Sequence, residues 1–449
     1  MLAVGFAGLI SLTWSTAPSR VKQRPKAITG IYHPRISPDI PTDVNVPPGP
    51  NDPPDAPIRL FDDYSWRAFI GLLWPVAEGQ RGVPDRRKPI TDPGPKVFET
   101  FKSTWEIYHD NGSPPAPWNE YDQARFNRCR QRPKFGQVDI AALSHFTDDV
   151  AQPTSFGQDG PIASVNRSYV RYLAGVNKTE FCAIKSRGLY LRANLPQNGS
   201  PLALPSGSIN VKSAWIEMSG IPNPSHYYTR WATVYDYCTK HCVRKRLGLI
   251  GLHIVQKTPS RPQWIWSTFE QVDDVPFVSS RRRGGFSLHR GSAPMRDSSP
   301  NSDEHPPCRP LFTNIDRLRP IDYRTDRTNR AYQAALRRRG SVLQYYRLIM
   351  TQWPVSQSDD GNIPVNQAAT PAFTFPGLAT TTAFNSPIFE TFLQKNIQDG
   401  CMSCHGGTRG TDFVWTMAIF AHTGRGPAYK LNPPEFTKLR ELLATPHHH

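Results

Sequence analysis

The sequence predicts an α+β fold: an antiparallel, β-rich central part with flanking helices and a helical C-terminal segment. Three observations carry this. Apolar residues recur at three- and four-residue spacing on either side of the middle of the chain, the period of one helical face. Between residues 188 and 272 the apolar runs become short, aromatic and β-branched, bounded by Pro, Gly or Asn, which is strand patterning. At 449 residues, with 45 prolines, the chain exceeds one small core and spends much of its length in loops.

Taken in order, residues 1–17 are apolar with small residues and read as a signal segment, although no basic stretch precedes them. Residues 18–60 are rich in Pro, Asp and basic residues and read as an extended arm. The body is expected over 61–354. Its first helix is Phe61 to Trp74, with Trp66, Phe69, Ile70 and Leu73 on one face and Pro75 as the stop. Phe98, Phe101, Trp105 and Tyr108 predict a second helix, and Ser168 to Phe181 a third. Such aromatic stripes belong to cores more often than to cofactor contacts.

Five runs then predict strands: 188–192, 209–218, 227–237, 247–257 and 262–272. The fourth is apolar almost throughout, as befits a central strand covered on both faces. Its polar exception is His253, which fits a satisfied core hydrogen bond or, alternatively, a distal metal ligand or acid/base group. Trp264 and Trp266 share a strand face with Glu270 beyond them, an arrangement suited to sheet packing or to a pocket wall. Residues 279–310, opening with Arg281-Arg282-Arg283, read as an exposed insertion. From Thr328 to Trp353 the stripe Tyr332, Leu336, Leu343, Tyr346, Met350, Trp353 predicts a helix that Gly340 divides.

The C-terminal segment is 355–449. Ser386-Pro387 opens a predicted helix with Ile388, Phe389, Phe392, Leu393 and Ile397 as its apolar face, and Gly400 ends it. Next comes Cys401-Met402-Ser403-Cys404-His405, a C-x-x-C-H sequence that occurs once in the chain. Its spacing suits covalent attachment of a c-type haem. Cys401 and Cys404 can each add to a porphyrin vinyl group, and His405 then lies under the iron as proximal ligand. Two other readings compete. Half of a zinc site needs a second ligand pair, and the other close pair, Cys238 and Cys242, has C-x3-C spacing with His241 inside it. A redox dithiol opens a helix after a buried strand, whereas this motif follows a predicted helix. Thr411-Asp412 can cap a short helix reaching Phe420, and Pro434 to Leu443 predicts a last one.

By that pentapeptide and the helix before it, the C-terminal part resembles c-type cytochromes. The wider pattern of an aromatic N-terminal helix, a Trp-rich β middle and one late C-x-x-C-H resembles exported bacterial cytochrome-c-like proteins of unassigned function. The resemblance implies one covalent haem c held by Cys401, Cys404 and His405, a periplasmic or secreted location and a redox role. It departs from class I cytochromes c, whose motif opens a domain of about a hundred residues; here 44 residues follow His405. It departs from the four-helix cytochromes c′ in having a β-rich portion.

The sixth iron position is open in this reading. Met417 lies 12 residues after His405, ample chain to cross the roughly 10 Å between haem faces. His253 is the long-range candidate, His422 sits near a helix end, and Met350 belongs to a core stripe. A relay protein fills that position with Met or His. A peroxidase- or oxygenase-like oxidoreductase, or a haem-based ligand binder, leaves it open, and the bulk preceding the motif is the support for those alternatives. The net charge of +16 favours an anionic redox partner or substrate. No nucleic-acid-binding motif accompanies it. Apart from the signal segment, the sequence has no apolar run long enough to span a membrane. The remaining five cysteines, Cys129, Cys182, Cys238, Cys242 and Cys308, allow two disulfides and one thiol.

Overall fold

The structure is a computed structural model. It describes residues 34–44, 56–109, 111–121, 161–196, 202–236, 238–277, 285–291, 295, 297–301, 307–353, 385–394, 400–406 and 408–424, all within one compact unit, Pro34–His449. Its centre is a seven-stranded antiparallel sheet: β1 (Lys102–Ser103), β2 (Arg171–Val176), β3 (Ile209–Glu217), β4 (Thr229–Asp236), β5 (His241–Gln256), β6 (Ile265–Gln271) and β7 (Tyr346–Gln352). The order is β1-β2-β3-β5-β6-β7, with β4 paired to the first half of β5. The α+β expectation therefore holds. Leu247, Leu249, Ile250, Leu252 and Ile254 of the central β5 are all buried.

Helices α1 (Ala56–Leu72) and α4 (Tyr323–Arg337) cover one face. Trp66 stacks on Tyr332 at 5.0 Å and meets Phe269 edge-on at 5.0 Å, while Phe69 stacks on Phe269 at 4.1 Å. The Trp66 indole N–H donates to Asn329 Oδ1 (2.9 Å), and the Asn329 amide brackets the backbone of Leu348 in β7. One polar side chain thus ties helix to strand inside an aromatic cluster, with its buried groups satisfied.

The opposite face follows from the two-residue period of strands. Lys212, His253 and Thr268 are successive cross-strand partners on β3, β5 and β6. Thr268 pairs in turn with Met350 of β7, past an irregularity: Phe269 opposes Leu348, so Ile349 is an extra residue. The bulge lets Ile349 and Met350 both join Ile321 and Cys401 in one apolar cluster. Residues 385–394, the helix α5 (Cys401–Gly406) and the neighbouring α6 (Trp415–Phe420) belong to this side of the molecule.

Several predicted elements differ. Val97 to Tyr108 is a 3-10 turn (Val97–Thr100), then β1, then the four-residue α2 (Thr104–Ile107). Buried Arg81 explains the break: its guanidinium takes the carbonyls of Thr100 and Phe101 and pairs with Glu106, so those carbonyls cannot continue a helix. The aromatic stripe is buried regardless. Ser168 to Phe181 is β2 followed by α3 (Lys178–Ser186), where Asn177 caps the helix by accepting from Glu180 N. The stretch 188–192 is a turn, with Gly188 at φ +64°. Past α4 the chain reverses at Gly340 (φ +66°) and enters β7, since the edge of β6 offers a pairing partner.

In 386–394 the regular element is a 3-10 turn, Thr391–Leu393. Within 279–310, Phe286 to His289 are buried and donate Ser287 N and Leu288 N to the carbonyls of Asp273 and Asp274, so that stretch is part of the packed body. The signal segment, Arg281–Arg283 and the helix at 434–443 lie outside the described residues. Cys238 is bonded to Cys308, Cys242 is also in a disulfide, and Cys182 is an exposed thiol. Among the described residues no helix is long and apolar enough to cross a membrane.

Phe269 joins α1 to the sheet, so Phe269→Ala is expected to cost about 3–5 kcal/mol. Trp231→Ala, at a ring that is 57% exposed, is expected to cost under about 0.5 kcal/mol. Thermal melts of the two variants test this; equal midpoints would contradict the packing described.

Candidate haem site

The C-x-x-C-H motif forms α5 itself, so positions 401 and 405 lie one helical turn apart on one face. Cys401 is half-buried against Ile321, Ile349 and Met350. His405 lies over Trp266 of β6, ring centroids 4.3 Å apart, with Trp415 of α6 at 6.5 Å. Trp266 thus packs against helix α5, the sheet-packing role of the two its strand position suggests.

His405 Nδ1 is 2.7 Å from the backbone carbonyl of Phe413. A carbonyl only accepts, so Nδ1 carries the proton and Nε2 keeps the lone pair. Nε2 makes no hydrogen bond among the described residues. Burial drives the imidazole down to about 4, against the opposing pull of the Phe413 bond; the ring is neutral at pH 7. A neutral imidazole with Nδ1–H tied to a carbonyl and Nε2 available is the state that ligates a metal.

The carbonyl is held in place by a costly backbone. Asp412 (φ +53°) and Phe413 (φ +66°) occupy the left-handed region, at roughly 1–3 kcal/mol each for non-glycine residues. Their surroundings fix them. Lys257 Nζ donates to both Asp412 carboxylate oxygens at 2.7 and 2.9 Å, and Leu204 N donates to Oδ2 at 2.7 Å. The Asp412 carbonyl accepts from the indole of Trp264 (3.0 Å), itself at φ +75°. Phe413 N donates to Thr408 O, and Thr408 Oγ1 to His405 O, closing the loop on the helix that opened it. Burial lowers Lys257 and raises Asp412, each offset by the other's charge. Nearby Glu180 is pushed up to about 8 by burial; Asn210 donates to its Oε1 (3.3 Å), and Oε2 has no partner among the described residues.

Toward the sheet, His253 uses both ring nitrogens: Nδ1 with Thr268 Oγ1 (2.7 Å) and Nε2 with Glu390 Oε1 (3.0 Å). Phe389 stacks on it at 3.8 Å. Burial would raise Glu390, but His253 and then Lys212 outweigh it and hold the carboxyl below its ordinary range. The charges of His253, Glu390 and Lys212 all reach His405.

Among the other sequence candidates, Met417 is fully buried in α6, which packs through Phe420 on Tyr108. The Sδ of Met350 accepts from Gln352 Nε2 (3.2 Å), and the side chain forms part of the wall beside Cys401. His422 is bridged to the 190–192 turn through its backbone, and its Nδ1 accepts from Gly424 N. Cys238 and Cys242 are consumed in disulfides, so neither supplies the second pair a zinc site requires. Among the described residues no three His, Cys, Asp or Glu side chains are grouped to hold a metal. The donor set at α5 fits a covalent haem: a fixed neutral imidazole, a cysteine one turn before it and an aromatic and aliphatic wall. Lys257, Glu390, Lys212 and the Phe413 carbonyl carried no signal in sequence, because each acts through a long-range contact.

Lys257→Met leaves Asp412 buried without its cation, an expected loss of about 3–5 kcal/mol, read as a lower melting temperature. A wild-type melting temperature would contradict the anchoring role. Because Glu180 has a raised pKa when folded, the folded state binds more protons than the unfolded one between pH 4.5 and about 8. Its contribution to stability therefore falls as pH rises through that window. Glu180→Gln should flatten this part of the melting-temperature profile, and an unchanged slope would contradict it.

Compared with known proteins, the chain matches no family model, no curated protein and no solved structure.

Proposed function

We propose that the chain is an exported c-type cytochrome with one covalent haem c, acting in electron transfer. The observation that carries this is the C-x-x-C-H helix whose histidine is neutral and tethered through Nδ1 to the Phe413 carbonyl. Cys401 and Cys404 would form the two thioethers, and His405 Nε2 would ligate the iron. When bound, the group supplies one-electron chemistry at a potential set by its ligands and burial. The chain's own residues do the rest. Phe413 O orients the imidazole and raises its basicity, Trp266 and Trp415 pack against its ring, and the Lys257–Asp412 pair stops the loop from relaxing.

Denaturing electrophoresis of wild type and of Cys401→Ala plus Cys404→Ala tests the attachment. Haem stain should accompany wild type and vanish from the double variant; stain that survives in the variant sinks the proposal. Met417 remains the proposed distal ligand. If it fills that position, Met417→Ala opens the iron to carbon monoxide; rapid binding by wild type, unchanged in the variant, rules it out.

A second reading, a haem-dependent oxidoreductase or ligand binder, is favoured by one observation: the Lys212, His253, Glu390 row whose charges reach His405. A relay has no need of such a row, whereas an enzyme that moves protons together with electrons does. On either reading the partner or substrate is anionic, in keeping with the charge of +16. Exchange with an acidic partner should slow as salt rises to about 0.15 M and the Debye length shrinks to about 8 Å. A rate indifferent to salt removes electrostatic docking.

A further inference from the structure

On the sheet face that carries the motif, two arginines are buried side by side. Arg347 of β7 is 1% exposed and Arg317 is 4% exposed. Arg347 lies opposite Glu270 in the β6–β7 register, and two residues from Ile349, which packs in the Cys401 cluster. Their hydrogen bonds do not balance. Arg317 Nη2 donates to Glu270 Oε2, and Arg347 Nη2 to the Val275 carbonyl (2.9 Å). The Nε and Nη1 groups of both side chains are buried with no acceptor among the described residues.

The acceptors nearby are already engaged. Glu270 Oε1 takes the hydroxyl of Ser386 (2.8 Å), and Asp274 Oδ1 takes those of Tyr227 (3.1 Å) and Ser287 (2.6 Å). Burial pushes the Asp274 carboxyl well up, and its Oδ2 makes no hydrogen bond to either arginine among the described residues. Burial and the neighbouring Arg317 also pull Arg347 down to about 9, which leaves it a cation at neutral pH. Among the described residues, Glu270 is the carboxylate hydrogen-bonded to this pair, Asp326 is paired with Arg330, and the two guanidinium groups are left with a surplus of N–H donors. A buried donor left unmade costs about 1–3 kcal/mol, more when it is charged, and guanidinium groups are matched in geometry by planar anions.

We infer that Arg317 and Arg347 form an anion-binding site that takes one carboxylate or small oxyanion. Phe277, 40% exposed and lying 4.2 Å over the Arg347 guanidinium, is its cover. The anion has two possible sources with the same chemistry: a free small anion, or a carboxylate of the bound haem. Only the second rests on the haem proposal.

Melting temperatures decide, taken on the full chain as wild type and as Cys401→Ala plus Cys404→Ala. Acetate or phosphate is titrated against chloride at constant ionic strength. A saturable rise of about 2–5 °C in both forms identifies a free anion, and it holds even if the chain carries no haem. A rise confined to the cysteine variant identifies a haem carboxylate as the occupant in wild type. In either case Arg347→Gln abolishes the rise. No saturable rise in either form overturns the site, as does a rise that Arg347→Gln leaves intact. Should the cysteine variant fail to fold, the haem-loaded protein decides: Arg317→Lys shifts its reduction potential if a haem carboxylate sits there. An unmoved potential together with no anion effect overturns the site.

Discussion

The hydrogen bond from His405 Nδ1 to the Phe413 carbonyl is the constraint around which the C-terminal part of this protein is built. It sets the tautomer, fixes the ring plane and leaves the other nitrogen available. A carbonyl can do this only if it is aimed, and here the aim depends on two non-glycine residues in the left-handed region. That backbone is unfavourable alone. It persists because Lys257, Leu204 and Trp264 hold Asp412 from three directions. Lys257 directly follows β5 and Trp264 directly precedes β6, so the histidine is positioned, through one loop, by the central sheet. On the proposed reading, these contacts hold the ring that would meet the metal.

The two faces of the sheet do different work. On one, Trp66, Phe69, Phe269 and Tyr332 make a continuous aromatic cluster whose internal polar group, Asn329, is satisfied. On the other, Lys212, His253, Thr268 and Glu270 stand among Trp266, Phe389 and Ile349. Buried polar groups are costly unless paired, and a row of them facing a candidate cofactor motif is where a fold departs from pure packing for function. The bulge at Ile349 belongs to the same arrangement, since it turns an extra apolar side chain toward Cys401.

Much of the scaffold was legible in the chain. The run from Leu247 to Ile254 announced a central strand, Trp66 and Phe69 announced α1, and Cys401, Cys404 and His405 fall together on the short helix α5. What failed did so through tertiary override of local period. Aromatics at helical spacing from Phe98 to Tyr108 are buried as expected, but Arg81 captures the carbonyls a helix would need. The stripe past Gly340 became β7 because an unpaired edge of β6 was waiting for it. The Lys257–Asp412 link joins residues 155 apart, and a backbone carbonyl as acceptor has no side-chain signature, so neither could be read from spacing.

The central claim is that α5 is an attachment site for one haem, with His405 presented to its iron. The most direct measurement is the intact mass of the exported wild-type protein under denaturing conditions. The account predicts a mass exceeding that of the polypeptide by one haem, with the visible absorption travelling on the same species. A mass equal to the disulfide-bonded polypeptide alone, from cells able to attach haem to another C-x-x-C-H protein, would contradict it.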